Sequence, residues 1–179
     1  TLLHLRVQDT WKKNFWLDLE MRGSATLNDL DRYLRGIWLE CCGHLSEFTY
    51  GGWQSSKVGM KRRAAEVFEP GVELTHIYDF GTSSETLVKV AGLREGKPTT
   101  ARPIALMARN LPPEYPCIEC NQPATLLCWE CLIEDSVWGV LCDEHAETHS
   151  HAGYGEPSPL ANSPRVGMCG YSGPAEPPY

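Results

Sequence analysis

Between residues 117 and 151 five cysteines and three histidines fall into four close pairs: Cys117/Cys120, Cys128/Cys131, Cys142/His145 and His149/His151. Two such ligands about one turn apart can reach one tetrahedral zinc ion at about 2.0–2.3 Å, so each pair is half a site. Four pairs supply eight ligands, enough for two closed four-coordinate sites. Buried core thiols would have no reason to pair at this spacing, and histidines would not complete a disulfide framework. A catalytic zinc keeps one position open for water and sets a general base beside it. Here the ligands suffice to close both sites, the H-E-x-x-H motif is absent, and no upstream H-x-E or C-x-E accompanies the C-x-x-C pairs as in nucleobase deaminases. Glu119, Glu130, Asp143, Glu144 and Glu147, which lie among the ligands, read as a solvated face. The expectation is structural zinc.

The full spacing, C-x2-C-x7-C-x2-C-x10-C-x2-H-x3-H-x-H, resembles the B-box and related cross-brace zinc modules, in which alternate pairs share a metal. That resemblance implies one ion held by Cys117, Cys120, Cys142 and His145, and another held by Cys128, Cys131, His149 and His151. Two spacers depart from the B-box: the ten residues before Cys142 are long, and the single residue between His149 and His151 is short. Cys169 lies downstream as a ninth candidate for the eight positions.

Charge is divided unevenly along the 179 residues. Residues 1–113 hold 15 Lys/Arg against 13 Asp/Glu, whereas residues 114–179 hold Arg165 alone against 10 acidic residues. Phosphate binding rests mostly on Lys and Arg, so the zinc region is a poor match for DNA and a better match for a protein partner with a basic surface. The basic cluster Lys57, Lys61, Arg62 and Arg63 reads as a solvated loop or helix end. No apolar run approaches the roughly 18 residues of a membrane span. Zinc-type cysteine usage without a leader-like segment points to the cytoplasm.

The elements that must carry these ligands begin with an α+β region. Residues 2–8 and 15–21 alternate as strands around a turn at Trp11 to Asn14. Thr26, with Asp29 three residues on, marks a capped helix. On it Leu27, Leu30, Leu34, Ile37 and Trp38 recur at helical spacing and should face the sheet. Cys41 and Cys42 follow; adjacent cysteines do not readily chelate one ion, so buried thiols are expected. A strand over 45–50 and a hairpin of 72–80 with 86–90 complete a β-grasp-like mixed sheet covered by one main helix. Residues 92–102 read as a linker. The Gly/Pro-rich tail, 152–179, is expected to pack back, with the specific-looking segment NSPRVGMCGYSG at 162–173.

The run TLNDLDRYLRGIWLECCGHLSEF at 26–48, with YDFG at 78–81, resembles the Ri-plasmid "ORF three"-like family, small TnpR-like accessory proteins of plasmids and mobile elements. That family's H-L-H-x-F strand is matched here at His44, Leu45 and Phe48, with Ser46 at its second histidine. Its Y-D-F-G-D-x-W-x-H strand is matched at Tyr78, Asp79, Phe80 and Gly81, with Thr82, Ser84 and Thr86 at its acid, tryptophan and histidine. The surviving residues read as core and turn positions, with Asp79 a turn acceptor. These features divide the chain into an α+β domain (1–110), a zinc module (114–151) and the tail. The function expected is that of a non-catalytic, zinc-binding interaction or adaptor protein rather than an enzyme. The alternatives are a resolvase-like DNA-binding protein and, behind it, a zinc hydrolase or deaminase.

Overall fold

The computed structural model describes residues 1–151 and 153–174; Ala152 and residues 175–179, part of the expected tail, lie outside the described residues. The chain is mixed α+β, mostly antiparallel sheet with few helices. Alternating burial makes β1 (Leu2–Asp9) and β2 (Trp16–Arg22) an antiparallel hairpin. Its turn is fixed by Asp9, whose Oδ1 accepts from the backbone N–H groups of Trp11 and Lys12. After β2, Thr26 caps α1 (Leu27–Leu34): Asp29 N donates to Thr26 Oγ1, and Thr26 N donates back to Asp29 Oδ2. The expected box therefore forms, with Asp where Glu or Gln is usual.

The helix does not stop at Leu34. It widens into a π-turn (Arg35–Leu39), closed by Glu40 N donating to Arg35 O. The extra residue rotates Ile37, Trp38 and Leu39 into the core, and every predicted stripe residue, Leu27, Leu30, Leu34, Ile37 and Trp38, is fully buried. They pack with Leu3, Leu5 and Val7 of β1 and Leu17, Leu19 and Met21 of β2. Burying one such side chain contributes about 1.5–3 kcal/mol, so this layer is the main driving force of the domain.

The remaining strands are β3 (Ser46–Thr49), β4 (Lys57–Val58), β5 (Glu73–Tyr78), β6 (Ser84–Arg94) and β7 (Ile104–Arg109), with a short α2 (Ala64–Val67) between β4 and β5. They extend the sheet to seven strands in the order β4-β3-β5-β6-β1-β2-β7. The sheet was expected to be mixed, but every pairing in it is antiparallel. The reason lies in the connections: hairpins join β1 to β2, β3 to β4 and β5 to β6, and the long α1 crossing brings β3 back opposed to β5 rather than beside a parallel neighbour. The linker expected at 92–102 begins later, because β6 runs on to Arg94 against β1. Its far end is followed by β7, an edge strand on β2 that the sequence reading did not anticipate.

Below this domain lies a smaller unit. A three-stranded sheet of order β10-β8-β9 is built from β8 (Leu126–Leu127), β9 (Val140–Leu141) and β10 (Ser158–Pro159), with α3 (Trp129–Ile133) and α4 (Asp143–Thr148) around it. Its apolar core is thin: Leu127 and Val140 are covered by Val166 and Tyr171 of the tail and by half-buried Cys41 of the first domain. The tail thus packs back over both units. Lys12 Nζ donates to the carbonyls of Pro164 and Val166, Ser163 Oγ to Trp38 O, and Arg109 to Asn162 O. Arg165, fully buried, donates to Asp79 Oδ2 at 2.6 Å and to Thr82 O and Ser84 Oγ. No described helix is long and apolar enough to cross a membrane.

Two outcomes follow from the buried charges. Truncating Arg165 to Ala strands the Asp79 carboxylate in the interior, which should cost about 3–5 kcal/mol in denaturant unfolding; a cost below 1 kcal/mol would mean the tail is not fixed by this pair. The second concerns Asp31, buried on α1. Burial opposes its ionisation, but hydrogen bonds from His76 and Ser46 and the nearby Arg35 outweigh it and hold its carboxyl below the ordinary range. A depressed folded pKa adds stability that is present above the unfolded value of about 3.9 and is lost as pH falls through the folded value. The acid limb of a stability–pH curve should therefore be shallower in Asp31→Asn than in the parent chain.

Candidate metal centres

Three groups of cysteine and histidine converge so that the ligand atoms within each lie within 4.8 Å of one another. The first joins Cys117, Cys120, Cys142 and His145, and the second joins Cys128, Cys131, His149 and His151. The four pairs of the sequence are thus interleaved, first with third and second with fourth. In the first group Cys120 Sγ and Cys142 Sγ are 3.7 Å apart, and His145 Nδ1 is 3.2 Å from Cys142 Sγ and 3.8 Å from Cys117 Sγ. In the second, His149 Nε2 and His151 Nδ1 each lie 3.2 Å from Cys131 Sγ, and His151 Nδ1 lies 3.8 Å from Cys128 Sγ. A tetrahedron with bonds of about 2.0–2.3 Å has edges of about 3.3–3.8 Å. The separations fit a zinc ion at the centre of each group. The single residue between His149 and His151 is no obstacle, because the two rings turn edge to face with centroids 4.8 Å apart and present opposite nitrogens, Nε2 and Nδ1.

Local backbone supplies this geometry. Cys117 and Cys120 flank a tight turn in which Asn121 N donates to Cys117 O and Cys117 N donates to Gln122 O. Asn121 takes a positive φ of 62° there, which Asn tolerates better than most residues. Cys128 and Cys142 both occupy the residue just before a short helix. Gly139 runs so close to Cys131 that an added Cβ would meet its Cβ at 2.3 Å, so no larger residue fits without displacing a ligand.

The thiols are not equivalent. Burial opposes ionisation of Cys117, yet backbone N–H groups of Cys142, Glu119 and Cys120 draw it down to about 6. Burial, followed by the neighbouring Cys128, pushes Cys131 up to about 11. A metal entering the second group must displace that proton, so its occupancy falls with falling pH.

One acidic residue read as solvated face has a specific position. Glu119 sits between the two groups: its Oε1 is 3.1 Å from His149 Nδ1, and its Oε2 is 3.9 Å from His145 Nε2. A carboxylate on the far nitrogen of a ligating histidine fixes tautomer and ring orientation. Asp135 stands similarly, 3.8 Å from His151 Nε2. The signal was its place inside the Cys117–Cys120 turn, where a side chain must point either at solvent or across to the neighbouring site.

The third group was not anticipated. Cys41 and Cys42, expected to be buried thiols, are half-buried and exposed respectively, and both converge with His44 and Cys169. Cys169, a spare candidate for the paired sites, is placed here instead. His44 and Asp79 lie side by side, His44 Nε2 at 3.5 Å from Asp79 Oδ2. Asp79 accepts from the N–H groups of Gly81 and Thr82, the expected turn role, and also holds Arg165. The cluster Lys57, Lys61, Arg62 and Arg63 is exposed, with Lys57 paired to Glu47 at 2.5 Å.

No family model matches the chain, and no curated protein matches it. Among solved structures the chain is similar to the crystal structure of MM3350, a protein of unknown function from Methanosarcina mazei Go1, with 18% identity and a TM-score of 0.51 over 60% of this chain and 68% of that one. At that identity the likeness carries the fold alone.

Glu119→Ala removes the carboxylate that faces histidines of both groups. Loss of such an outer partner typically weakens metal affinity about 10–100-fold. In the protein loaded with zinc, competition with a chromophoric chelator should show metal released more readily from Glu119→Ala, while Glu147→Ala, in the same acidic segment, should behave like the parent chain.

Proposed function

We propose that the chain is a non-catalytic, zinc-organised interaction or adaptor protein of the mobile-element accessory class, acting in the cytoplasm. In this reading residues 117–151 form a cross-brace module holding two structural zinc ions. The observation that carries it is the interleaving of two complete four-ligand groups, each with enough protein atoms to close a tetrahedral shell. A closed shell leaves no position for a reacting water, which speaks against a hydrolase or deaminase.

Charge supports the choice of partner. The only Lys or Arg in the sequence of residues 114–179, Arg165, is fully buried against the first domain, so the described surface of the module and tail carries acidic residues without Lys or Arg of its own. Such a surface repels phosphate and attracts basic protein surfaces. Half-exposed apolar residues, Ile118, Ile133, Val137 and Tyr154, lie among the acids and would add contact area. The motifs at His44–Phe48 and Tyr78–Gly81 support the class assignment, and the end of the sheet that carries them is filled by Arg165, whose guanidinium lies 5.1 Å from the Tyr78 ring centroid. An end plugged by the protein's own tail favours a structural role there over catalysis.

Two measurements test this. Cys128→Ser should unfold residues 117–151, seen as a rise in amide exchange, while the first domain keeps its protection; unchanged exchange in that segment would show that zinc does not organise it. Binding to duplex DNA in about 150 mM salt should be undetectable, since a four-charge patch supports only weak non-specific contact. Sub-micromolar binding that disappears when Lys57, Lys61, Arg62 and Arg63 are neutralised would replace this reading with the resolvase-like one.

A further inference from the structure

We propose that Cys41, Cys42, His44 and Cys169 form a third metal site, one that takes a soft divalent cation such as zinc and staples the C-terminal tail to the end of the first domain's helix. It lies outside the module of the proposed function and shares no residue with it. Cys42 Sγ and Cys169 Sγ are 3.9 Å apart, His44 Nε2 is 3.4 Å from Cys169 Sγ, and all four ligand atoms lie within 4.8 Å of one another. The two edges at Cys169 are close in size to those in the two paired groups, where sulfur–sulfur and sulfur–nitrogen separations run from 3.2 to 3.8 Å.

The backbone is shaped for this convergence. The π-turn ends the helix at Leu39 and delivers Cys41 and Cys42 into a bend. Gly43, at φ +73°, then folds the chain so that His44 returns to the same point. This is how adjacent cysteines and a histidine two residues on can share one ion. From the other side Gly167, Cys169 and Gly170 all have positive φ, coiling the tail so that Cys169 faces the first domain. Cys169, at φ +49°, is in a conformation costing roughly 1 kcal/mol for a residue with a side chain. Such a strained backbone position is an observation from which a ligand role can be inferred.

The surroundings suit the charge. Three thiolates and one imidazole on a divalent ion leave a net −1, and Arg165 Nη2 lies 3.5 Å from Cys41 Sγ to offset it. The same guanidinium holds Asp79, whose Oδ2 lies 3.5 Å from the His44 Nε2 that also faces Cys169 Sγ at 3.4 Å. Tyr78 OH accepts from Cys41 N at 3.3 Å, fixing the bend that presents the first ligand. A set of three sulfurs and one nitrogen selects zinc or another thiophilic ion over magnesium or calcium. Cys42 and Cys169 are exposed, so this ion lies at the surface, whereas Cys117, Cys128 and Cys131 of the paired groups are buried.

The test counts zinc in the full chain purified under reducing conditions, comparing the parent with Cys42→Ser and Cys169→Ser. Each variant should hold one ion fewer than the parent, whatever the parent's total. Because the readout is that difference, it is distinct from failure of the two-zinc module, which would lower parent and variants alike. Neither variant removes a buried side chain, so both should fold, with residues 117–151 retaining their amide protection. In the parent, alkylation of Cys42 and Cys169 should be slow with zinc present and fast after mild chelation. Equal metal content in parent and variants, or alkylation at full rate with zinc present, would overturn the proposal; so would quantitative Cys42–Cys169 disulfide in the zinc-supplied, reduced protein.

Discussion

A guanidinium with no solvent exposure, Arg165, held 2.6 Å from an Asp79 carboxylate that is itself buried, is the contact on which the arrangement of the whole chain turns. Neither charge could remain in the interior alone, since removing one partner of such a pair leaves several kcal/mol of uncompensated desolvation. The pair therefore either forms completely or opens completely. When it forms, it positions Ser163 under Trp38, Val166 and Tyr171 over the small sheet, and Cys169 beside His44. The tail is less an appendage than the shared wall of both units.

That wall is needed because the unit of residues 117–151, with its two four-ligand groups, cannot build a core of its own. Its fully buried apolar residues are few, Leu127, Leu141 and Val140 being the principal ones, and the other interior positions are cysteines. So small a core cannot offset the entropy of ordering about 35 residues. Metal coordination by the two four-ligand groups would supply what packing lacks, and would do so with directional bonds. The close passage of Gly139 over Cys131 belongs to that economy: the backbone approaches to ligand distance because no side chain intervenes. The first domain needs no such help, with α1 and the π-turn burying Leu27, Leu30, Tyr33, Leu34, Ile37, Trp38 and Leu39 in its core.

How much of this was legible in the sequence depended on the range of the interaction. Local signals read well. The Thr26–Asp29 cap, the Leu27-to-Trp38 stripe and the four ligand pairs are set by spacing, and each concerns residues within a few turns of one another. The mixed sheet was a misreading of connection geometry: nothing in a strand's alternation states the direction of its neighbour, and here every partner is opposed. Strand β7 escaped notice because it is an edge strand in which Met107 and Ala108 face outward, so its pattern is not clean alternation. Glu119 and the third cysteine group were illegible for a different reason. They depend on contacts between elements, in the latter case across 127 positions, and a charge beside a ligand looks in one dimension like any other surface acid.

The same distinction bears on function. The motif residues His44, Tyr78 and Asp79 suggest, as a string, the remains of a polar site at the end of the sheet. In space that end is occupied. Asp79 is committed to Arg165, Tyr78 donates to Glu40 at 2.9 Å and lies beneath the Arg165 guanidinium, and His44 faces Cys169. A substrate could enter only by displacing the tail, which means separating a buried ion pair and uncovering Val166 and Tyr171. Meanwhile, among the described residues, the outer faces of module and tail offer acid and half-exposed apolar side chains with no exposed Lys or Arg of their own. The polar chemistry that a site would use has been turned inward to hold the two units together, and the surface left to the outside is one suited to contact with another protein.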